Sequence, residues 1–461
     1  MEQTKKLNRR SFLKIFGCGV VSATAALYGC DTKQIHEAIT AGELDKRTIG
    51  NTPIGLWGWS TLQAPRQKNP EMGRRELDEE ALRDVVESAF TKGVNLFATS
   101  PSHQRGTTQR ALGQILQRHR RGSYFIATEM PDIDEPTLEN SIAAYKALFT
   151  DLGVDRIDFL TLAARPERRR NQTLEKRNLA STKFHKRFID NGFIEFISSE
   201  REAGRIGHIG WDSSSDAVLF DTLLASDFEW DYVRMPINYL AWNAPHAKFN
   251  VKTLADRYAE VKARGLKVMT EDAFAGDRLS KLNDRLAGAL KEAAPQRSIA
   301  SWAVRFAADH KAVFTVLSSS PYEDQVQDQI ASLSPLQPLT KEEFEALHAV
   351  VKPLEAHPLI PCVECQRCMP CPYGLDIPEI FAHYNRCVNE GFIASDRQQP
   401  QYREARRAFL IGYDRSVPRL AQADHCISCE KCVSHCPMAI DIPKEMRRVN
   451  RYVEQLKQGT L

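Results

Sequence analysis

The sequence predicts an α/β protein in which a (β/α)8 TIM barrel precedes a small, α-rich domain. Between positions 50 and 345, short apolar runs recur at intervals of roughly 25 to 45 residues, with amphipathic helical stretches between them. This alternation favours a parallel sheet, and the segment has the length of one closed barrel. The chain from residue 346 onward carries two dense runs of cysteine. We therefore expect a barrel domain over 50–345 and a second domain over 346–461.

Eight apolar runs account for the barrel strands, and several of the intervening stretches have helical period. The predicted strands are residues 54–57, 94–97, 124–127, 157–162, 208–211, 232–235, 266–269 and 313–317. The predicted helices include 79–92, 136–152, 251–264 and 298–309. In barrels of this kind the chemistry takes place at the C-terminal ends of the strands. The residues just after each run are therefore the candidates for a functional site.

The overall composition is that of an ordinary globular protein. Apolar residues make up 42% of the 461 residues, and the formal net charge is +3. A nucleic-acid-binding protein would show a stronger and more clustered positive charge. We therefore expect no nucleic-acid partner.

Residues 1–30 are typical of a twin-arginine signal peptide. Arg9 and Arg10 are followed by Phe12 and Lys14, and then by an uncharged, largely apolar stretch over 15–29. That stretch is shorter than the about 20 residues that a membrane span needs. The alternative is a basic tail before a buried helix. Because the twin-arginine translocase moves folded proteins, a protein exported in this way would acquire its cofactors in the cytoplasm.

Residues 27–30 read Leu-Tyr-Gly-Cys and look like a bacterial lipobox, in which lipid would be attached to Cys30. Simple cleavage near this position is the alternative. Residues 31–49 would form a linker to the barrel. These features predict an extracytoplasmic protein, either in the periplasm or on the outer face of the cytoplasmic membrane, with membrane association through a lipid anchor if Cys30 is modified.

Two runs of four cysteines dominate the C-terminal domain. Their spacings are C-x2-C-x2-C-x2-C and C-x2-C-x2-C-x3-C, and a proline follows each run. Three thiolates on one tight loop can bind one face of a [4Fe-4S] cluster, which transfers single electrons. Structural zinc or a disulfide framework is the alternative, although zinc sites usually separate their cysteine pairs by a longer spacer. The predicted ligands of two [4Fe-4S] clusters are Cys362, Cys365, Cys368, Cys371, Cys426, Cys429, Cys432 and Cys436.

The cysteine-rich domain resembles a bacterial two-cluster ferredoxin. Residues 371–379 read CPYGLDIPE and residues 436–444 read CPMAIDIPK, as expected of an internal duplication. The chain between the two halves is far longer than in a minimal ferredoxin, which predicts a helical insertion. The resemblance implies that the two runs exchange their fourth ligands. One cluster would then be bound by Cys362, Cys365, Cys368 and Cys436, and the other by Cys426, Cys429, Cys432 and Cys371.

Three segments of the predicted barrel resemble the aldo/keto reductase family. Residues 93–103 read GVNLFATSPSH and match the family's second strand and its loop. Residues 106–113 read GTTQRALG and match the following helix, and residues 204–210 read GRIGHIG and match the fifth strand. The resemblance continues into the iron–sulfur tail, an arrangement found in one branch of that family. It implies a TIM barrel and, in the family's usual form, carbonyl reduction with NADPH.

The resemblance also implies that the family's catalytic tetrad has been replaced. The family uses Asp, Tyr, Lys and His, with the tyrosine hydroxyl as general acid. The matching positions here are Ala98, His103, Glu129 and Ala163. The two alanines cannot transfer a proton, and Glu129 puts a negative charge where the family has a cation. We therefore expect that NADPH-dependent carbonyl reduction has been lost.

The residues that would bind the NADP cofactor are changed as well. Arg234 stands where the family usually has glutamine, whereas Asn238 is kept. Residues 318–320 are three serines in place of a glycine-bearing phosphate loop, and residues 328–329 read Asp-Gln where Glu-Asn is common. The barrel would then be a docking scaffold, or would bind a substrate or another redox group near the clusters.

Two other functions remain open. His103 and Glu129 could form a new acid–base pair, with the carboxylate orienting the imidazole ring, and Arg234 could hold an anionic substrate. The protein could instead be a non-catalytic electron-transfer subunit of a membrane-attached redox complex. Transfer of single electrons implies a redox protein as partner in each case.

A basic insertion follows the fourth predicted strand, between residues 165 and 187. It contains nine arginine and lysine residues but only two glutamates. A run of this kind is usually solvated surface. It could also steer an acidic redox partner to the mouth of the barrel.

Overall fold

The computed structural model describes residues 44–461 apart from 69–74, 165–178, 214–216, 244–251, 283, 363–365, 367 and 437–439. The predicted signal peptide with Cys30, most of the basic insertion, and Cys365 lie outside the described residues. No helix of the described part is long and apolar enough to span a membrane.

The strands form one closed barrel and two small antiparallel sheets. They are β1 (Lys46–Ile49), β2 (Thr52–Gly55), β3 (Trp57–Ser60), β4 (Arg66–Lys68), β5 (Arg75–Leu77), β6 (Leu96–Ala98), β7 (Phe125–Glu129), β8 (Ile157–Leu162), β9 (Ile206–Asp212), β10 (Tyr232–Pro236), β11 (Lys267–Glu271) and β12 (Val313–Ser318). The barrel runs in the order β3, β6, β7, β8, β9, β10, β11, β12 and closes on β3. Its strands are all parallel, so the predicted (β/α)8 TIM barrel is confirmed.

Helices alternate with the barrel strands and then build the C-terminal domain. They are α1 (Glu79–Thr91), α2 (Thr107–Leu116), α3 (Leu138–Leu152), α4 (Leu179–Phe184), α5 (Phe193–Glu202), α6 (Ala217–Ala225), α7 (Leu254–Ala263), α8 (Asp284–Ala293), α9 (Ile299–Ala308), α10 (Glu323–Ser332), α11 (Lys341–Ala356), α12 (Ile377–Asn389), α13 (Tyr402–Ser416) and α14 (Ile442–Gln458). The predicted helices 79–92, 136–152, 251–264 and 298–309 correspond to α1, α3, α7 and α9.

Helix α1 shows why these stretches are helical. Asp78 precedes it, and its carboxylate accepts a hydrogen bond from Ala81 N at 3.0 Å, which satisfies one of the free N–H groups of the first turn. Leu82, Val85, Val86 and Ala89 recur at helical spacing and are all buried. The apolar stripe fixes which face of α1 packs on the barrel.

The first predicted strand was placed three residues too early. Ile54 lies in β2, which pairs with β1 around a left-handed turn at Gly50, and the barrel strand is β3. The side chains of Ile49 and Ile54 join the apolar cluster inside the barrel, together with Phe159, Tyr232 and Phe314. The β1–β2 hairpin therefore closes one end of the barrel. Its apolar residues resemble those of a barrel strand in the sequence because they are equally buried.

Helix α11 links the barrel to the C-terminal domain and is held by a buried ion pair. Thr340 Oγ1 accepts from Glu343 N at 3.2 Å, and the Glu343 carboxylate accepts from Thr340 N in return. The same carboxylate accepts two hydrogen bonds from Arg305 of α9, at 2.7 and 2.9 Å. Arg305 is only 1% exposed. Removal of its carboxylate partner would leave a buried charge without compensation.

The two halves of the C-terminal domain begin their main helices in the same way. Asp376 caps α12 by accepting from Glu379 N at 3.3 Å, and Asp441 caps α14 by accepting from Lys444 N at 3.1 Å. A proline lies in the first turn of each helix, where a missing N–H removes no helical hydrogen bond. The repeat in the sequence is therefore a repeat of structure. Helix α13 lies between the halves and is the predicted helical insertion.

We expect Glu343→Ala to lower the free energy of unfolding by about 3 to 5 kcal/mol, because Arg305 would stay buried without its carboxylate. Urea denaturation followed by tryptophan fluorescence measures this loss. Glu345→Ala is the matched control, since Glu345 lies on the same helix and pairs with Lys341 at 3.9 Å on the surface. The control should change the free energy of unfolding by less than about 1 kcal/mol. Equal losses for the two variants would contradict the role given to the buried pair.

Candidate functional site

Four charged side chains meet at the C-terminal ends of the barrel strands. Glu129 ends β7, Asp212 ends β9, Glu271 ends β11, and Arg234 lies on β10 between the last two strands. The Arg234 guanidinium donates to Glu129 Oε2 at 2.7 Å and to Asp212 Oδ2. Arg234 Nε lies 3.4 Å from Glu271 Oε2. We call these four residues the carboxylate–arginine cluster.

The carboxylate–arginine cluster holds more negative than positive charge. Burial by itself lowers the pKa of Arg234, but Glu271, Asp212 and Glu129 together raise it well above its usual value. The single guanidinium is therefore charged, and three carboxylates surround it. An anion entering the barrel mouth would be repelled. The assignment of Arg234 to an anionic substrate or cofactor stays a prediction, and the structure shows its guanidinium paired with the protein's own carboxylates.

Glu129 and His103, the predicted acid–base pair, each form hydrogen bonds with hydroxyl groups. Glu129 Oε1 accepts from Ser100 Oγ at 2.7 Å and from Ser102 Oγ at 3.4 Å. His103 Nδ1 lies 2.8 Å from Thr61 Oγ1. Two hydroxyls and a guanidinium thus bind the Glu129 carboxylate. The acid–base role of His103 and Glu129 stays a prediction, whereas the structure makes Glu129 a member of the ion-pair network.

Arg187, at the end of the basic insertion, is a buried member of the barrel mouth. Its guanidinium donates to Asp132 Oδ1 at 2.6 Å, to Ala163 O at 2.9 Å and to Pro131 O. Burial lowers the pKa of Arg187, and the negative charges of Asp132 and Glu129 oppose that shift. In the sequence Arg187 is one basic residue in a run that is usually solvated surface. Its burial shows that it supports the barrel instead of steering a partner.

The positions expected to bind the cofactor phosphates are filled by contacts within the protein. Trp57 Nε1 donates to Gln329 Oε1 at 3.1 Å, and Gln329 Nε2 donates to Ser320 Oγ at 2.6 Å. Trp59 Nε1 donates to Ser320 O at 3.0 Å, and Ser318 Oγ lies 3.2 Å from Ser320 Oγ. All five residues are buried. The sequence showed the altered serine loop and Gln329 but not the two indoles, of which Trp59 binds the carbonyl oxygen of Ser320 and Trp57 binds Gln329.

Asn238, the retained residue of the cofactor signature, forms hydrogen bonds with the loops that follow β10 and β11. Its Nδ2 donates to Asp272 O at 3.2 Å, and its Oδ1 accepts from Ala241 N at 2.8 Å. The side chain is buried. Asn238 therefore ties two loops of the barrel mouth together, and this structural role requires no nucleotide.

Four of the predicted cluster ligands line one cavity of the C-terminal domain. The cavity itself is small, with a volume of about 20 Å³. Its walls include the thiol-bearing residues Cys371, Cys426, Cys429 and Cys432. The same four cysteines make up one of the two ligand sets implied by the ferredoxin resemblance. The described residues of the other set, Cys362, Cys368 and Cys436, are partly exposed.

The backbones of the two cysteine loops repeat a left-handed residue at the equivalent place. Gln366 follows the second cysteine of the first loop and has a φ of 59°, and Glu430 follows the second cysteine of the other loop with a φ of 66°. Ser428 has a φ of 59° as well. L-residues adopt this conformation at a cost, so its recurrence at one place points to a functional constraint. It turns the chain sharply between successive cysteines.

The surroundings of the thiols fit an iron–sulfur cluster. Burial, followed by the nearby thiols of Cys368, Cys426 and Cys429, raises the pKa of Cys432 to about 12. Crowded thiols of this kind become good ligands when a positively charged metal core stabilises their thiolates. No three His, Cys, Asp or Glu side chains of the described part converge on a point suited to a single metal ion. A [4Fe-4S] cluster does not require such a point, because its four cysteines bind four separate irons.

Among the described residues, Cys387 is the cysteine that lies outside both cysteine runs. It is buried in α12, and burial raises the pKa of its thiol to about 12. Its Sγ lies 3.4 Å from His383 Nε2. We interpret Cys387 as a packed side chain of the domain core.

Matches to known proteins divide the chain in the same way as the fold. Residues 54–352 match the model of the aldo/keto reductase family. The chain belongs to the aldo/keto reductase family. Residues 361–440 match the model of a 4Fe-4S dicluster domain, which suggests iron–sulfur clusters in the C-terminal domain of this aldo/keto reductase. No curated protein matches the sequence.

Solved aldo/keto reductase structures share the barrel. The holo form of the aldo-keto reductase AKR11C1 from Bacillus halodurans is 18% identical, with a TM-score of 0.51 over 67% of this chain and 96% of its own. An aldo-keto reductase from Klebsiella pneumoniae, solved in complex with NADPH, is 14% identical, with a TM-score of 0.49 over 67% of this chain and 95% of its own. Similarity at these identities shows the fold alone.

The replaced positions lie at strand ends, where the members of a barrel family carry their chemistry. Ala98 ends β6, Glu129 ends β7, and Ala163 directly follows β8. Both alanines are buried, and their methyl groups offer no proton. The correspondence of these positions to the tetrad of the aldo/keto reductases stays a prediction.

We expect Arg234→Gln, which restores the residue common in the family, to lower the free energy of unfolding by about 3 to 5 kcal/mol, because the buried carboxylates lose their counter-charge. Such carboxylates hold protons more tightly in the folded than in the unfolded chain. The loss should therefore be larger at pH 8 than at pH 5, where protonation neutralises them. Urea denaturation at both pH values measures the difference.

Arg156→Gln provides the control, since Arg156 pairs with Asp158 at 3.3 Å while half exposed. It should change the free energy of unfolding by less than about 1 kcal/mol, with little dependence on pH. If Arg234→Gln behaved like this control, the carboxylate–arginine cluster would not be the stabilising element described here.

Proposed function

We propose that this chain is an exported electron-transfer protein whose aldo/keto reductase barrel no longer reduces carbonyls with NADPH. Its family and its 4Fe-4S dicluster domain make it an iron–sulfur oxidoreductase-like protein. Beyond this description, we propose that the chain binds two [4Fe-4S] clusters, exchanges electrons with a redox protein, and has lost the family's reaction. The carboxylate–arginine cluster is the observation that carries it.

The carboxylate–arginine cluster is unsuited to carbonyl reduction for an electrostatic reason. Hydride transfer to a carbonyl carbon leaves negative charge on its oxygen, which a general acid or a set of donors must stabilise. Glu129, Asp212 and Glu271 place negative charge at the barrel mouth instead, and the guanidinium of Arg234 is already bound by them. An oxyanion at this mouth would therefore be destabilised.

The C-terminal domain supports the electron-transfer part of the proposal. When bound, [4Fe-4S] clusters supply one-electron transfer. Cys371, Cys426, Cys429 and Cys432 would hold one cluster in their shared cavity. Leu375, Ile377, Ile442 and Met446 line the same cavity and would exclude water from it. Solvent exclusion of this kind is one of the factors that set a cluster's potential.

Arg278 connects the C-terminal domain to the mouth of the barrel. It follows β11 and donates to His357 O at 2.8 Å and to Leu354 O, at the end of α11. Burial lowers its pKa to about 10, and the nearby Tyr384 of α12 and Tyr239 of the barrel oppose that shift. The C-terminal domain therefore adjoins the barrel face that carries the strand ends. A redox group or substrate bound at that face would be close to the cysteine domain.

An exposed apolar rim near the cysteine cavity supports a protein partner. Tyr373 is 46% exposed, Leu420 80% and Ile427 61%. Tyr373 and Ile427 also line the cavity with the four cysteines. Exposed apolar patches mark interaction sites, and electron-transfer encounters use small interfaces. We propose that a redox protein docks at this rim, and a subunit of a membrane-attached redox complex would use the same surface.

Export completes the proposal and rests on the sequence. The twin-arginine translocase would carry the folded protein out of the cytoplasm, and the mature chain would lie in the periplasm or on the outer face of the cytoplasmic membrane. Lipidation at Cys30 would anchor it there. Little nicotinamide cofactor is present outside the cytoplasm, which agrees with a barrel that no longer uses it.

We expect neither NADPH nor NADH to bleach the visible absorbance of the cluster-loaded protein under anaerobic conditions, whereas dithionite should bleach it. The reason is that the cofactor positions of the barrel are filled by Trp57, Gln329 and Ser320. A spectrophotometric titration with each nucleotide, followed by dithionite, provides the measurement. Bleaching by either nucleotide would overturn the proposed loss of nicotinamide chemistry.

We expect Cys429→Ser to reduce the iron content from about eight to about four atoms per chain, because one of two four-iron clusters loses a ligand. Iron analysis together with electron paramagnetic resonance of the reduced protein measures the loss. Cys387→Ser is the matched control and should retain all the iron. Tryptophan fluorescence of the barrel shows whether each variant is folded. Full iron in Cys429→Ser, or zinc in its place in the unaltered protein, would contradict the ligand assignment.

A further inference from the structure

A basic groove on the C-terminal domain lies outside the cysteine loops and the barrel mouth. It has a volume of about 700 Å³ and is formed by α13, the residues before it, and the C-terminal end of α14. Five cationic side chains line it, and no acidic residue does: Arg397, Arg403, Arg406, Arg407 and Lys457. We call this feature the arginine groove.

Most of the positive charge in the arginine groove is not neutralised by the protein. Arg397, Arg403 and Arg407 are exposed, and none of them has an ion-pair partner among the described residues. Lys457 pairs with Glu454 at 3.0 Å. Like charges held this close repel one another, and a bound anion would relieve that repulsion. Arginine suits phosphate in particular, because its planar fork can form two parallel hydrogen bonds.

The shape of the arginine groove is fixed by contacts beneath its charged rim. Arg406 Nε donates to Leu456 O at 2.6 Å and so joins α13 to the last turn of α14. Gly459, with a φ of 65°, ends α14 in a left-handed conformation. Tyr402 lines the groove, and its buried hydroxyl has no hydrogen-bond partner among the described residues.

The groove also offers apolar surface, which narrows the choice of ligand. Leu410 and Ile411 line it and lie on α13 one to two turns after Arg403 and Arg407, so they share one side of the helix. Ile411 is 42% exposed. Arginine side chains commonly lay their methylene groups along apolar surface while the guanidinium reaches a charged group. A ligand that is anionic at one end and apolar beside it fits this arrangement better than a small inorganic anion.

We propose that the arginine groove binds the headgroups of anionic phospholipids and thereby holds the C-terminal domain on a membrane surface. A basic helical side with adjacent apolar residues is the chemistry of peripheral binding to an anionic leaflet. The groove acts independently of Cys30, of the clusters and of any activity of the barrel. It would orient the cysteine domain toward redox proteins in the membrane.

The test uses the full-length, cluster-loaded chain with Cys30→Ala, so that no lipid is attached, and co-flotation with vesicles. Vesicles of phosphatidylcholine alone are compared with vesicles that contain about one third phosphatidylglycerol. We expect binding to the anionic vesicles, and loss of most of it in about 1 M salt, where the Debye length is about 3 Å. Arg403→Gln with Arg407→Gln should weaken partitioning about thirtyfold, or about fivefold per arginine.

Arg118→Gln with Arg120→Gln is the matched control, because both of these arginines are exposed on the barrel. The control should bind like the parent, and iron content and fluorescence should show that both double variants are folded. Binding that the Arg403 and Arg407 substitutions leave unchanged would overturn the proposal, as would equal binding to neutral vesicles. Binding of soluble inorganic phosphate or of polyglutamate without binding to anionic vesicles would assign the groove to a free anion or an acidic polypeptide and would likewise overturn it.

Discussion

The barrel mouth depends on a single buried guanidinium that balances carboxylates from three strands. Arg234 lies on β10, and Glu129, Asp212 and Glu271 approach it from β7, β9 and β11. Without Arg234 the strand ends would carry like charges in a region of low dielectric, where repulsion is strong. With Arg234 present, each of the three carboxylates has a cationic partner. The same ion pairs bind the guanidinium at the strand ends, where members of a barrel family carry out their chemistry.

The C-terminal domain differs from the barrel mouth in the electrostatic environment of its functional side chains. Its thiols are brought together without a counter-charge, and the pKa of Cys432 rises because burial and neighbouring thiols disfavour its thiolate. Three carboxylates share one guanidinium at the barrel mouth, whereas the cysteine loops would bind the positively charged core of a cluster. This difference supports the proposal that the C-terminal domain, and not the barrel, carries electrons.

Arginine serves two distinct purposes in this chain. Arg187, Arg234, Arg278 and Arg305 are buried, and each of them donates to a carboxylate or a carbonyl oxygen. The exposed arginines of the arginine groove are available to bind a ligand, which we propose is an anionic phospholipid headgroup. Buried guanidinium groups need such partners because desolvation of an unpaired charge costs roughly several kcal/mol. Exposed guanidinium groups stay solvated and bear no such desolvation cost. Burial therefore does not account for the clustering of arginines in the groove.

The sequence by itself determined the barrel, the duplicated cysteine domain and the candidate cluster ligands, since each depends on periodicity, spacing or identity along the chain. It placed the first barrel strand too early, because Ile54 of the closing hairpin is as apolar as a strand residue. Only the tertiary structure decided that Arg234 is surrounded by carboxylates, that Trp59 binds the altered serine loop while Trp57 binds Gln329, and that Arg187 is buried. Such pairings join residues that are far apart in sequence, and the charge of a residue does not reveal which partner, or how much water, will surround it after folding.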